Sequence, residues 1–301
     1  MDKTPLKKIA EMAGAKLLQG SPDLMVSSIS KDSRTIQPGD LYVALRGDNF
    51  DGNAYANDAL ARGAVAVLVD SQETAASIPS AQPVLLAENG LTALTKLAAA
   101  WRSKLNLKVV GITGSSGKTS TKDFTAAVLG SRFKVVKTAG NLNNHIGVPL
   151  SILAATSEDQ AAVWEVGMNH PGEIAPLAAL IKPHCAIITN IGVAHIEHMK
   201  TRDAIALEKG MLAESVNSNG AVILVTEDDK TESIAKRSSS KVIRVGFTSG
   251  DLVAGSLQST EKGTTFTIKY DGVEYEASMP VHGAHMVQNC LLYTSPSPRD
   301  Q

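Results

Sequence analysis

The twelve residues Val109–Ser120, Val-Val-Gly-Ile-Thr-Gly-Ser-Ser-Gly-Lys-Thr-Ser, constrain this chain more than any other stretch. Val109, Val110, Ile112 and Thr113 are β-branched and read as a buried strand, after which Gly114-Ser115-Ser116-Gly117 frees the backbone to turn tightly. Lys118-Thr119-Ser120 then opens a helix. A strand, a glycine turn and a helix start point several backbone N–H groups and a positive dipole end at one spot, where a phosphate chain finds donors. Lys118 is placed to reach outer phosphates, and Thr119 to offer its hydroxyl to Mg²⁺.

The spacing is shorter than the common phosphate loop, which would need glycine at position 112, where Ile112 stands. The pattern is Gly114-x-x-Gly117-Lys118-Thr119. An ordinary Gly/Ser turn is the alternative, and a lysine and a threonine both correctly placed argue against it.

The remaining composition narrows the class. At 301 residues the chain is long enough for two cores, and a formal charge of -1 leaves no excess of Lys and Arg to neutralise many nucleic-acid phosphates. Cys185 and Cys290 are the only cysteines, which suits a reducing compartment and suggests no disulfide framework. The N-terminus is amphipathic rather than leader-like, and no run reaches the roughly 20 apolar residues of a membrane span, so the expectation is a cytoplasmic protein.

Residues 5–14 show helical spacing ending at Gly14, and short strands and turns follow, among them Asp32-Ser33-Arg34, Pro38-Gly39-Asp40 and Asp51-Gly52-Asn53. Ser33 and Arg34 read either as a phosphate or nucleotide contact or as plain surface. A helix from Tyr55 to Gly63 and a strand over 64–69 complete a small α/β pattern. Leu91, Leu94, Leu97, Ala98, Trp101 and Leu105 share a helical face, with Trp101 read as core, and a domain boundary falls near 105–108.

Beyond the glycine loop, strands over 134–137, 161–166, 185–190 and 221–226 alternate with helical stretches, the pattern of a doubly wound, mostly parallel sheet. Residues 241–280 read as a small antiparallel addition, with Tyr270-Asp271-Gly272-Val273 as a hairpin. Ligands of such sheets sit beyond the C-terminal strand ends. There stand Thr138–Pro149 with three asparagines, Glu165 to Glu173, and Thr189 to His198. Glu165 and His195 are thus expected at the same rim as Thr119. A carboxylate, an imidazole and a hydroxyl there suit Mg²⁺ clamping phosphate oxygens, although histidine is an uncommon Mg²⁺ ligand and His195 reads equally as a structural rim residue. His145, His170, His184 and His198 read as structural or exposed. Lys209 lies on a helix over 201–216, where the ordinary expectation is a solvated side chain.

Thr113–Thr119, Gly140-Asn-Leu-Asn-Asn-His-Ile-Gly-Val-Pro149, Glu165–Ile174 and Thr189–Glu197 resemble the Mur ligase family, and within it the branch that adds D-alanyl-D-alanine in peptidoglycan synthesis. The N-terminal Asp32-Ser33-Arg34, Pro38-Gly39-Asp40 and Asp51-Gly52 resemble the family's uridine-nucleotide domain. The resemblance implies an N-terminal α/β domain over 1–107 that binds UDP-N-acetylmuramoyl-tripeptide, and an ATPase domain over 108–289. It also implies a third, Rossmann-like domain, absent here. The implied reaction is ATP-dependent: the tripeptide carboxylate attacks the γ-phosphate, and the amine of D-alanyl-D-alanine displaces phosphate from the acyl phosphate. On this resemblance ATP is held by Gly114, Ser115, Ser116, Gly117, Lys118, Thr119 and Ser120, with His285 and Asn289 near the base. UDP-substrate contacts fall to Ser33, Arg34, Asn141 and Asn144. Thr119 and Glu165 serve one Mg²⁺, and His195 with Lys209 as a carbamate serves a second, so Lys118, Lys209 and His195 carry the chemistry. Relatives often have glutamate where this chain has Met211, with Glu208 adjacent. The protein is expected to be a monomer. Another amino-acid-adding ligase of the superfamily, or a non-catalytic nucleotide-binding protein, remains the alternative.

Residues 290–301, Cys-Leu-Leu-Tyr-Thr-Ser-Pro-Ser-Pro-Arg-Asp-Gln, place two prolines where the resemblance expects a helix and read as an adapter-derived, non-native tail. On that reading the 301 residues are expected to bind UDP-substrate and ATP weakly, without ligating.

Overall fold

A computed structural model describes residues 1–294. Residues 295–301, most of the expected non-native tail, lie outside the described residues. The chain forms two compact units, one of residues 1–106 and 149–159, the other of 107–148 and 160 onward.

In the first unit five strands, β1 Lys16–Gln19, β2 Ser28–Ser30, β3 Asp40–Val43, β4 Ala66–Val69 and β5 Val84–Leu86, form a sheet in the order β1-β5-β4-β3-β2. β3 and β4 are buried along their whole length, as central strands of a parallel sheet must be, and only β1 runs antiparallel to its neighbour. The helix Leu6–Ala13 stops at Gly14, whose φ of 64° is the left-handed turn glycine takes at low cost. The helix Gly90–Arg102 is capped by Asn89 and buries Trp101, whose indole N–H donates to Ala155 O at 2.9 Å. The Met1 amine donates to Leu153 O at 2.7 Å, and these two bonds show how 149–159 is held in this unit.

The second unit contains β6 Lys108–Thr113, β7 Val135–Lys137, β8 Ala161–Glu165, β9 Cys185–Ile188, β10 Ala221–Val225, β11 Lys241–Gly246, β12 Leu252–Thr260, β13 Gly263–Tyr270 and β14 Val273–Met279. Their order is β7-β8-β6-β9-β10-β11-β12-β13-β14. From β6 the chain runs to β7 at the edge, returns to β8 between the two and crosses to β9 on the other side of β6, so β6, β8 and β9 end side by side and the loops after them share one rim. One expectation is corrected. Residues 242–245 were assigned to the antiparallel addition, but β11 pairs in parallel with β10, and β12 in parallel with β11. The run Val242-Ile243-Arg244-Val245 marks a strand by its β-branched residues but says nothing of its direction, which is set by its place beside β10. Antiparallel pairing begins only at β12–β13 and continues through the hairpin at Asp271-Gly272. The helix Ala284–Thr294 closes the unit, with Val287, Cys290, Leu291 and Leu292 in the core beside Ile243, Val245 and Leu252.

Candidate active site

β6 ends at Thr113 and hands the chain to the glycine loop. Gly114 has φ 150° and Gly117 φ 78°. A Cβ at 114 would stand 1.9 Å from Thr189 Oγ1, and one at 117 would stand 2.9 Å from Asn289 Oδ1. Both positions therefore exclude a side chain, and the helix Lys118–Gly130 starts directly behind them.

Two lysines converge on one acceptor. Lys118 Nζ and Lys209 Nζ each donate to Gly114 O at 3.0 Å. Lys209, from the helix Arg202–Glu214, is 1% exposed, so the ordinary expectation of a solvated lysine is corrected. Burial pushes its amine down to about 7, the Lys118 charge adds to this, and Glu208 opposes it. Burial lowers Lys118 too, against the pull of Glu165.

Beside the lysines lies a carboxylate aimed by its neighbours. Glu165, the last residue of β8, is 1% exposed. Its Oε2 accepts from Thr119 Oγ1 at 3.0 Å and its Oε1 from Asn143 Nδ2 at 2.7 Å, while its backbone N–H donates to Thr138 Oγ1 at 3.0 Å. His195 has φ 65° at the start of the short helix Ile196–Met199. Its imidazole is held below the usual range by burial, then by Lys209 and Lys118. Lys118, Lys209, His195, Asn143, Asn144 and Glu173 line a cleft of about 100 Å³ together with the backbone turn at 167–169. The segment that follows this turn is pinned from the neighbouring helix: Glu208 Oε2 accepts from Gly172 N at 2.9 Å and Oε1 from Ile174 N at 2.8 Å.

The structure thus brings Lys118, His195 and Lys209 to one cleft, and joins the Thr119–Glu165 pair to its lining through Asn143. Asn144 lines it as well, and its Oδ1 also accepts from Gly147 N at 2.8 Å at the start of the helix Gly147–Ala154. Asn141 is exposed outside the lining. Asn289 is buried against Gly117, whereas His285 is exposed and stands against Gly283. Ser33 is buried and bonded to Asp58, and exposed Arg34 is paired with Asp32 at 2.6 Å. His184 accepts from Val109 N at 3.1 Å, and His170 and His198 pack ring to ring at 4.3 Å. The sequence reading missed Asn143 as the partner of Glu165, and Glu208 as the anchor of the 167–173 turn. Three consecutive-rim asparagines were the signal for the first, and nothing local marked the second.

No group of three or more His, Cys, Asp or Glu side chains among the described residues is arranged to hold a metal by itself. The Thr119–Glu165 pair nonetheless fits Mg²⁺, which commonly takes one carboxylate and a hydroxyl and completes its shell with phosphate oxygens and water.

Residues 112–294 match the Mur ligase middle domain, and residues 25–102 match the Mur ligase family catalytic domain. The chain belongs to the Mur ligase family. It is 36% identical over 292 residues to the UDP-N-acetylmuramoyl-tripeptide--D-alanyl-D-alanine ligase of Bacillus subtilis, covering 97% of this chain and 63% of that protein. MurF from Acinetobacter baumannii superposes with a TM-score of 0.87 at 30% identity, covering 97% of this chain and 64% of that one. The MurF ligase from Thermotoga maritima, solved in complex with ADP, gives 0.78 at 28% identity, covering 88% and 61%. This Mur ligase chain therefore spans less than two thirds of the length of these relatives. No helix among its described residues is long and apolar enough to cross a membrane.

Proposed function

We propose that the complete protein is an ATP-dependent ligase that joins D-alanyl-D-alanine to UDP-N-acetylmuramoyl-tripeptide, and that the cleft is its phosphoryl-transfer site. The observation that carries this reading is the convergence of Lys118 and Lys209 on Gly114 O beside the Thr119–Glu165 pair. Two amines that share one carbonyl have donors to spare, and an anion is the partner they lack.

In the first step two anions must meet, so positive charge and aligned donors are the main requirement. The amides of Gly117, Lys118 and Thr119 at the helix start and the Lys118 amine hold the outer phosphates against the incoming carboxylate. Thr119 and Glu165 would hold one Mg²⁺, and His195 with Lys209 as a carbamate a second, which would supply further neutralisation of those oxygens. Lys209 suits the carbamate role because an amine lowered to about 7 keeps a lone pair near neutral pH. That lone pair adds to CO₂, the nitrogen loses a proton, and a buried cation becomes an anion able to ligate. Asn143 keeps Glu165 turned toward Thr119. The first unit takes the uridine nucleotide, and Ser33 and Arg34 are the residues we assign to contact it.

The test is ADP release by the complete gene product given UDP-N-acetylmuramoyl-tripeptide. Turnover is expected with D-alanyl-D-alanine and not with single amino acids. Turnover unchanged by Glu165→Ala would overturn the assignment.

A further inference from the structure

Ser115 and Ser116 were read as phosphate ligands, but their polar atoms are already engaged from the next strand. Ser115 N donates to Asn190 O at 3.0 Å, and Ser115 Oγ accepts from Gly192 N at 2.9 Å. Ser116 N donates to Asn190 Oδ1 at 3.0 Å, Asn190 Nδ2 returns a bond to Ser116 Oγ at 2.8 Å, and Thr189 Oγ1 donates to Ser116 O at 2.5 Å. The segment after β9 is thus zipped to the phosphate loop along one side.

Its other side is clamped as well. Ile191 N donates to Asp228 Oδ2 at 2.5 Å, and Ile191 O accepts from Arg202 Nε and Nη2 at 3.0 and 2.8 Å. Both backbone groups of a residue 2% exposed are taken by side chains, and four residues later the chain delivers His195 to the cleft. Each serine hydroxyl accepts one of these bonds and still has a proton to donate to an anion.

We propose that Asn190 is a positioning residue of the nucleotide site: its carboxamide, paired reciprocally with Ser116, joins the phosphate loop to the segment that carries His195, so that an anion seated in the loop fixes His195. The functional half of this inference rests on the phosphate-site reading above. The mechanical half rests only on the hydrogen bonds.

The test uses the 301-residue chain, with native-state hydrogen exchange and with ADP as the probe. In the free protein, Asn190→Ala speeds exchange of the Ser116 and Gly192 amides together by about tenfold or more and leaves β9 amides unchanged. ADP slows Gly192 exchange in the wild type and does not do so in Asn190→Ala at saturating ADP. Ser116→Ala and Asn190→Ala each weaken ADP binding, and the double variant is no weaker than the worse single one, as expected of partners in one hydrogen-bonded pair; the ADP-dependent slowing of Gly192 is the readout that a merely structural role would not move. Should Asn190→Ala fail to fold, Asn190→Asp, which keeps the acceptor for Ser116 N and loses the returning donor, takes its place with the same expected coupling. Gly192 exchange that ignores position 190, or additive losses in the double variant, would overturn the proposal. If the wild type binds no ADP, the phosphate-site reading fails, and the exchange rates of the free protein still decide whether the zipper exists.

Discussion

Replacing Lys209 by methionine should stabilise the second unit near neutral pH, by an amount the structure sets. The folded amine sits at about 7 against an ordinary 10.5, so the unfolded chain binds the proton more tightly. The sign follows from linkage: between pH 7 and 10.5 the unfolded state holds a proton that the folded state has lost, and stability rises with pH through that window. Below pH 7 both states are protonated and the folded state bears the full penalty. At pH 7 the wild type forgoes about 4 kcal/mol relative to strongly alkaline conditions. Methionine removes that penalty and also removes the bond to Gly114 O, worth about 1 kcal/mol. The net gain is about 3 kcal/mol at pH 7, shrinking to nothing by about pH 10. Trp164, buried in β8, reports the unit in a Trp101→Phe background, so urea unfolding at several pH values in bicarbonate-free buffer gives the curve. Added bicarbonate should stabilise the wild type and leave Lys209→Met unmoved, because only the lysine can form a carbamate. A variant less stable than the wild type at pH 7, or a pH dependence identical in both, would refute the reasoning.

Other outcomes follow from single contacts. Glu165→Ala should cost ADP about tenfold in affinity with Mg²⁺ present and little without it, since the carboxylate acts through the ion; calorimetry with and without EDTA checks this. Glu208→Ala leaves the Gly172 and Ile174 amides without their acceptor and should destabilise the fold by about 3 kcal/mol, read from urea midpoints, while Glu208→Gln recovers part of the loss. Leu291→Ala should cost about 3 kcal/mol in the same assay, because its side chain is fully buried in the second core; a change under 1 kcal/mol would remove residues 290–292 from that core.

Much of this architecture could be read from local signals. The glycine loop declared itself because Gly114 and Gly117 occupy positions where a Cβ would collide with Thr189 and Asn289, and the strand before it is β-branched. Glu165 and His195 could be placed at the rim of Thr119 because a parallel sheet brings strand ends together by topology alone. What escaped depends on distance through space. Lys209 looks by spacing like any surface lysine and was singled out only by the family resemblance; its burial and its acceptor 95 residues away were not legible. The parallel pairing of β11 was hidden because a short β-branched run such as Val242-Ile243-Arg244-Val245 carries no direction. The return of residues 149–159 to the first unit depends on backbone carbonyls taken by the Met1 amine and the Trp101 indole, which no periodicity announces.

The measurement closest to the central claim is a crystal structure of this chain with ADP and Mg²⁺. The β-phosphate is expected on the amides of Gly117, Lys118 and Thr119 at the helix start, with Lys118 Nζ moved from Gly114 O to a phosphate oxygen and the ion within reach of Thr119 and Glu165. ADP bound elsewhere, with Lys118 still on Gly114 O and no ion beside Glu165, would contradict it.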